Sequence, residues 1–430
     1  MQFWPQGTSQ EEGRLGQTAV IRPRQVLGIY PVFALGAARG LRRMRRMNST
    51  VFSREEVAAT LRPIEQATWL PQRAYVDDAV YKEEMRSVFE KEWIALFHHT
   101  LLLKIGDYKT MQVAGRPLLF VRDQDKKIRC FVNICRHRGM AIAKGTGNCT
   151  RFVCPYHTWA YDLNGRVIRA PLIEKKWQDG HVRLTEVKTE IFIGFVFINF
   201  SVDAPSVASK LPSVAADMAA WGEADLDVSF ENVYTHKWNW KLMTDNAIEA
   251  YHVVGLHGGS AEGDIPTETA YVTAPDDGRT HAIIHMPFAK DKKFKPPGAM
   301  DAIGTIPNLP AWMDKEMRWY NLWPCSIIFS REDAIAGYFI VPGDNIDEIQ
   351  VIITMAMPKE AKNRPEYAAY KNEWAKYQDQ IQQEDMVACE RLQRSYTGCN
   401  EWKPGPYAAT EATCWYFHRW YLSRLGITTN

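Results

Sequence analysis

No apolar run in the 430 residues is long enough to cross a bilayer, so no membrane span is expected. Charge of one sign is not in excess either. Lys and Arg total 52 against 50 Asp and Glu, a formal charge of +2, which gives no basis for a nucleic-acid partner or an acidic-surface protein. The eight cysteines are too few and too scattered for a disulfide framework. A reducing cytoplasm is therefore expected, with some cysteines used for metal. No Gly-x-Gly-x-x-Gly joins a strand to a helix, so the dinucleotide fingerprint is missing. There are no internal repeats or low-complexity segments. Aromatic residues, in contrast, make up 12% of the chain, with 15 Trp, alongside 46% hydrophobic and 24% charged residues. That composition fits a globular chain long enough for two domains, with large apolar cores or an apolar pocket.

Residues 1–48 differ in texture from the rest. The weakly apolar run 26–38 is followed by the basic cluster 41–47, the reverse of a secretory signal, so export is not expected. A disordered extension is expected here, one that translation from upstream of a start at Met44 or Met47 would add, with a basic amphipathic arm as the other reading. Segment 49–91 opens with Ser53-Arg-Glu-Glu56, a capping-box pattern, and carries helical spacing over 77–92. It is expected to pack as helices on the C-terminal domain. From 92 to 203, short runs of β-branched and aromatic residues broken by Gly and Asp predict a small antiparallel β domain, with a strand over 100–103 begun by His98 and His99. From 204 to 430 the pattern turns to mixed α and β. A strand is expected at 230–238, then a helix through Asn246, further strands at 281–286, 319–329, 336–342 and 348–357, a long helix over 365–394 and a helical tail over 412–425. The overall fold class is α+β.

Two constellations carry chemistry. In the β domain, Cys135-Arg-His137 and Cys154-Pro-Tyr-His157 are expected in loops, since Gly139, Gly145, Gly147 and Pro155 surround them. Two Cys and two His could hold one zinc. The same set could hold a [2Fe-2S] cluster, two Cys on one iron and two His on the other, and a rigid strand-rich scaffold favours this reading. Cys130 and Cys149 do not fit the pairing and are expected to pack as small hydrophobes. The second constellation is Asn246 to His257. On a helix Asn246, Glu249 and His252 share a face, and Gly255 would let the chain bend so that His257 returns toward His252. Two His plus a carboxylate, with open positions, is the ligand set of a non-haem iron(II) oxygenase.

The sequence Cys-x-His-Arg-Gly, followed by Cys-Pro-Tyr-His-x-Trp-x-Tyr-Asp-Leu-x-Gly, resembles the Rieske ferredoxin domain. With Asn-Trp-Lys-Leu-x3-Asn-x2-Glu-x-Tyr-His-x4-His from Asn239 to His257, the chain from about 61 to 425 resembles the catalytic α subunit of the Rieske non-haem iron oxygenases. The resemblance implies a Rieske [2Fe-2S] domain over 92–203 and a helix-grip-like α+β catalytic domain with an antiparallel sheet over 204–430. Cys135, His137, Cys154 and His157 would bind the cluster, and His252 and His257 a mononuclear Fe(II), completed by a carboxylate from the late helix. In that helix Trp374, Gln378, Ile381, Asp385, Cys389, Leu392 and Tyr396 form a mostly apolar stripe, and Asp385 is the one acid within it. A buried carboxylate needs a cation, which with the resemblance makes Asp385 the third ligand. Glu384 and Glu390 are expected on the solvated flanks. Glu249 stands where the family has a bridging acid, often Asp, that links His157 of one subunit to His252 of the next. Asn246 is placed either near the iron or in local hydrogen bonds.

The resemblance further implies O2 as co-substrate, a separate NAD(P)H-dependent reductase, with or without a ferredoxin, and a homotrimer; a β subunit stays open. The pocket is expected from 242–248, 281–288 and 323–329, mostly apolar. The expected activity is mono- or dioxygenation of an aromatic, carboxylated or neutral, substrate. The alternative is N-demethylation or hydroxylation of a quaternary or methylated amine, supported by similarity of the late helix and tail to choline- and betaine-type oxygenases. A non-catalytic iron–sulfur or zinc-binding electron carrier is the remaining alternative.

Overall fold

A computed structural model describes residues 51–428 except 178–180, 291, 296–301 and 400, so the expected N-terminal extension lies outside the described residues. Short helices come first: α1 (Arg54–Val57), α2 (Arg73–Val76) and α3 (Asp78–Glu84). The Ser53 hydroxyl accepts from Glu56 N–H while the Glu56 carboxylate accepts from Ser53 N–H, so the capping box forms as the sequence predicts. A π turn over Met85–Phe89 extends α3.

Ten strands follow: β1 (Ile94–His98), β2 (Asp107–Val113), β3 (Arg116–Arg122), β4 (Ile128–Val132), β5 (Thr146–Asn148), β6 (Phe152–Val153), β7 (Ala160–Tyr161), β8 (Val167–Arg169), β9 (Glu186–Phe192) and β10 (Phe195–Asn199). They form an antiparallel sheet in the order β1-β10-β9-β4-β3-β2-β5 and a small second sheet, β6-β7-β8. His98 ends β1 rather than beginning a strand, and 99–101 is a 3-10 turn. The reason is local, because the His98 imidazole accepts from Thr100 N–H and turns the chain.

Helices α4 (Val207–Lys210), α5 (Pro212–Asp217) and α6 (Ala219–Glu223) lead to β11 (Leu226–His236), α7 (Trp240–Ala247) and α8 (Tyr251–Leu256). Then come β12 (Tyr271–Thr273), β13 (His281–Pro287), β14 (Glu316–Leu322), β15 (Ser326–Ser330), β16 (Ile335–Pro342), β17 (Ile349–Pro358), α9 (Tyr367–Gly398) and α10 (Ala412–Arg424). The seven strands make an antiparallel sheet, β11-β17-β16-β15-β14-β13-β12. The run expected as one strand over 319–329 is a hairpin of β14 and β15, turned at Trp323–Cys325.

β16 and β17 are buried almost throughout, without the alternation of a half-exposed strand, because elements cover both faces. One side meets β1: Ala95 N–H donates to Ser326 Oγ at 3.3 Å, and the Phe195 and Phe339 rings lie 5.2 Å apart. The other side meets α7, itself packed on α9. A buried ion pair ties the N-terminal helices to α7. Lys241 Nζ donates to Glu84 at 2.5 Å, and Trp240 Nε1–H and Tyr421 O–H donate to the same carboxylate at 2.8 and 2.6 Å. A second, smaller core of Leu119, Val121, Phe131, Phe152, Trp159 and Tyr161 underlies the Cys/His loops. Among the described residues no helix is long and apolar enough to cross a membrane, and all eight cysteines are unpaired.

Candidate active site: two donor sets

The first set sits on paired loops of matching construction. Cys135 and His137 follow β4, and Cys154 and His157 lie between β6 and β7. Cys135 N–H donates to Met140 O and Cys154 N–H to Trp159 O, each at 2.8 Å, so each loop closes on its own cysteine. Gly139, at φ +83, takes the left-handed turn that closes the first loop, and Thr158 takes a similar conformation, φ +56, after His157. Asn133 fastens the first loop by accepting from Ile142 and Ala143 N–H and donating to Ala143 O.

Both thiols are buried, whereas His137 is exposed and His157 half-buried. Their Nδ1 atoms face each other at 3.1 Å, and Trp159 stacks on His137 at 5.2 Å. Arg136 N–H donates to the Tyr161 hydroxyl at 3.0 Å, which leaves the Tyr161 O–H free to donate to Cys135 Sγ at 3.1 Å. Burial, with the neighbouring Cys135, pushes the Cys154 thiol up. Two thiols and two facing imidazole nitrogens, with room for at most one proton between the nitrogens, are a donor set in need of cations. Cys130 is fully buried and packs as expected; Cys149 is half-buried.

The second set corrects one expectation. Asn246 and His252 do not share a continuous helix: α7 stops at Ala247, and Glu249 and Ala250 lie in the break before α8. The bend is at this break and not at Gly255, which lies inside α8; His257 caps its end. The imidazoles of His252 and His257 nonetheless meet, ring centres 5.0 Å apart. One donor atom each from His252, His257 and Asp385 lies within 4.8 Å of the others. Asp385 Oδ1 is 3.1 Å from His257 Nε2 and 3.7 Å from His252 Nε2, and it accepts from Asn246 Nδ2 at 2.8 Å. Asn246 thus belongs to the site.

Each histidine is braced behind. His252 Nδ1 meets Glu249 at 2.8 Å, and Glu249 also accepts from His252 N–H. His257 Nδ1 meets Glu384 Oε2 at 2.6 Å, and Glu384 accepts from Ser260 Oγ and Gln380 Nε2. With Nδ1 turned to a carboxylate, Nε2 is the nitrogen that each ring turns toward Asp385, the one a metal would take in place of a proton. Burial opposes protonation of His252, but Glu249 and then Asp385 more than offset it and hold its pKa above the usual value. Burial raises Glu384, but hydrogen bonds from Gln380, His257 and Ser260 outweigh it and hold the carboxyl below the usual range. Glu384 was expected on a solvated flank. It faces inward instead because His257, 127 residues away in the chain, reaches it, a pairing with no local signal.

Burial pushes His98 down to about 3 and His236 and His281 to about 4, which marks them as neutral structural histidines. A cavity of about 100 Å³ opens onto the three donors. Phe230, Trp319, Phe329, Tyr338, Trp374 and Arg331 are among its walls, so it lies between the β11–β17 face and α9. The expected segment 281–288 contributes nothing to it. β13 lies nearer the sheet edge and packs on α10, and its His285 is engaged by Glu316 at 2.9 Å.

Residues 92–188 match the Rieske [2Fe-2S] domain, and residues 224–427 match the catalytic domain of the ring hydroxylating alpha subunit. The carnitine monooxygenase oxygenase subunit of Escherichia coli (strain K12) is 33% identical over 269 residues, 61% of this chain and 68% of that protein. The chain belongs to the Rieske non-haem iron oxygenases, as a catalytic α-type subunit. The glycine betaine monooxygenase oxygenase subunit of Chromohalobacter salexigens is another relative, 31% identical over 207 residues, covering 48% of this chain and 46% of that protein. A solved quaternary ammonium Rieske monooxygenase superimposes with a TM-score of 0.70 over 87% of this chain and 98% of its own, at 21% identity, and so shares the fold. A Rieske oxygenase has a [2Fe-2S] cluster and a mononuclear iron as cofactors, and the two donor sets suit them in residue type and convergence.

Proposed function

We propose that this Rieske oxygenase acts on a quaternary ammonium compound, inserting oxygen into a C–H bond beside nitrogen so that a hydroxylated or N-dealkylated product forms. The observation that carries the reading is the cavity wall beside the triad. It is aromatic, and among the described lining residues Asp385 is the one carboxylate. A quaternary ammonium has no N–H to give to an acid, and aromatic faces hold it by cation–π attraction. Relatives named for carnitine and glycine betaine support the same reading. The volume of about 100 Å³, small beside the roughly 300–1,000 Å³ of drug-sized sites, favours a compact substrate. The expectation of aromatic ring hydroxylation accordingly gives way to its alternative.

In this reading Cys135, His137, Cys154 and His157 hold the cluster, and His252, His257 and Asp385 hold Fe(II). When bound, these groups activate O2 and deliver the electrons that insert one oxygen atom into the substrate and reduce the other to water. Glu249 and Glu384 orient the two imidazoles, and the Asn246 amide fixes the Asp385 carboxylate. The aromatic walls seat the ammonium and keep water away. A separate NAD(P)H-dependent reductase, with or without a ferredoxin, would supply electrons. Exposed His137 and Tyr156 at the cluster end, and exposed Tyr251 and Val254 on α8, support contact between copies in a homotrimer. Eight unpaired cysteines support a cytoplasmic location.

The test is a single turnover of cluster-reduced, iron-loaded protein with O2 and a panel of trimethylammonium compounds and arenes, with products read by mass spectrometry. Oxygenation or dealkylation of the ammonium compounds is expected. Conversion of arenes alone contradicts the reading.

A further inference from the structure

Phe294, Met317 and Arg331 line the main cavity, and the same three residues line a second, smaller cavity of about 20 Å³ that none of the triad residues touches. They are therefore a partition between two spaces. Beyond it the second cavity runs past Phe288 and Met313 to Lys293 and Glu332, which pair with each other and are partly exposed, so its outer end lies near solvent. The partition stands at the end of the main cavity away from the metal donors. Trp374, whose ring centre is 6.0 Å from that of Phe294, lies on α9 about three turns before Asp385, roughly 16 Å along the helix axis.

Two of the three residues are fixed by the framework. Arg331 Nη2 donates to Asp333 Oδ1 at 2.8 Å and to the Tyr370 hydroxyl at 3.1 Å, and Met317 sits in β14, paired with Met286 of β13. Phe294 is half-buried and belongs to no helix or strand. Its carbonyl accepts from Arg331 Nη1 at 3.2 Å, which places its backbone, and its ring rests on Trp374 and, at 5.7 Å, on Tyr377. An ordinary core ring, when cut back, leaves a void that its neighbours partly close over. Phe294 instead borders open space on two sides, between neighbours that are pinned, so truncating it joins the two cavities.

We propose that Phe294 is a specificity-determining residue that sets the length of substrate this oxygenase accepts: a substrate with its head at the triad ends against the Phe294 ring. This deepens the reading of a compact quaternary ammonium substrate above and rests on it for the head group only.

The test is calorimetric binding to the holoenzyme without O2, with butyl-, hexyl-, octyl- and decyltrimethylammonium ions as one probe series and the 4-alkylphenols with the same tails as another. In the native protein each added methylene is expected to tighten binding about fourfold until the tail meets Phe294, after which affinity stops rising. Phe294→Ala is expected to move that limit outward by two methylenes or more, so that the first member past the native limit binds about tenfold more tightly or better, while shorter members stay within about twofold. Phe294→Trp is expected to move the limit inward. Phe288→Ala, at a residue that lines the second cavity and not the main one, is expected to leave the limit where it is. If Phe294→Ala does not fold, the tryptophan variant carries the test.

An unmoved limit in the Phe294 variants, a limit that follows Phe288 instead, an equal change at every length, no limit in the native protein, or no binding of either series overturns the proposal. A limit that moves with Phe294 among the alkylphenols, with no trimethylammonium ion bound, sinks the ammonium reading and leaves the role of Phe294 standing.

Discussion

Cys135, His137, Cys154 and His157 come from two loops close together in the chain, with thiols buried and imidazoles toward solvent. His252 and His257 instead meet Asp385 across a long-range contact, and each imidazole is braced by a carboxylate inside the fold. The first arrangement leaves its imidazole end at the surface, where a partner can approach, and the Tyr161 hydroxyl meets Cys135 Sγ at its buried end. The second is held by α7, α8 and α9 together, with a largely apolar, aromatic-rich cavity beside it. On the proposed reading, one centre passes electrons and the other excludes water from a bound substrate. This difference predicts that substitutions will act on one centre and spare the other.

The largest effect is expected at Glu84, which anchors α7. Glu84→Ala leaves the buried Lys241 uncompensated and should cost about 3–5 kcal/mol, measured by denaturant unfolding. Glu384→Gln should weaken mononuclear iron binding by roughly 10–100-fold in a chelator competition, with the cluster spectrum unchanged. Tyr161→Phe acts on the other centre. Losing a hydrogen bond to Cys135 Sγ worth about 1 kcal/mol should lower the cluster potential by roughly 40 mV while iron affinity holds.

The smallest effect concerns Glu411. Burial, opposed by the Ala408 N–H and aided by the charges of Glu249 and Asp245, raises its pKa to about 7 from 4.5. The folded state therefore holds this proton more tightly than the unfolded chain. The stability it contributes is complete below pH 4.5 and is lost as pH rises through about 7. Glu411→Gln should melt higher than the native protein at pH 8 and about level with it at pH 4.5, in thermal scans across that range.

The sequence made the cluster loops legible because their donors are two and three positions apart with glycines beside them. Asp385 was legible as an acid on an apolar stripe, and that stripe is buried at Trp374, Asp385, Cys389 and Tyr396, although Leu392 is exposed. The break between α7 and α8 was not legible, since 246–257 carries no proline and its glycine falls elsewhere. Glu384 was missed because its partner is distant in sequence. Of the expected pocket segments, 242–248 and 323–329 contribute Ala247 and Phe329 to the cavity, while the rest of the lining was missed because sheet order decides which strands face α9, and strand order is a non-local property.

The most direct measurement is metal and acid-labile sulfide content, with the visible spectrum, of Asp385→Ala beside the native protein. Two independent centres predict a fall from about three iron atoms per chain to about two, with sulfide and cluster absorption unchanged. Retention of the third iron, or loss of cluster and iron together from a folded protein, would contradict the account.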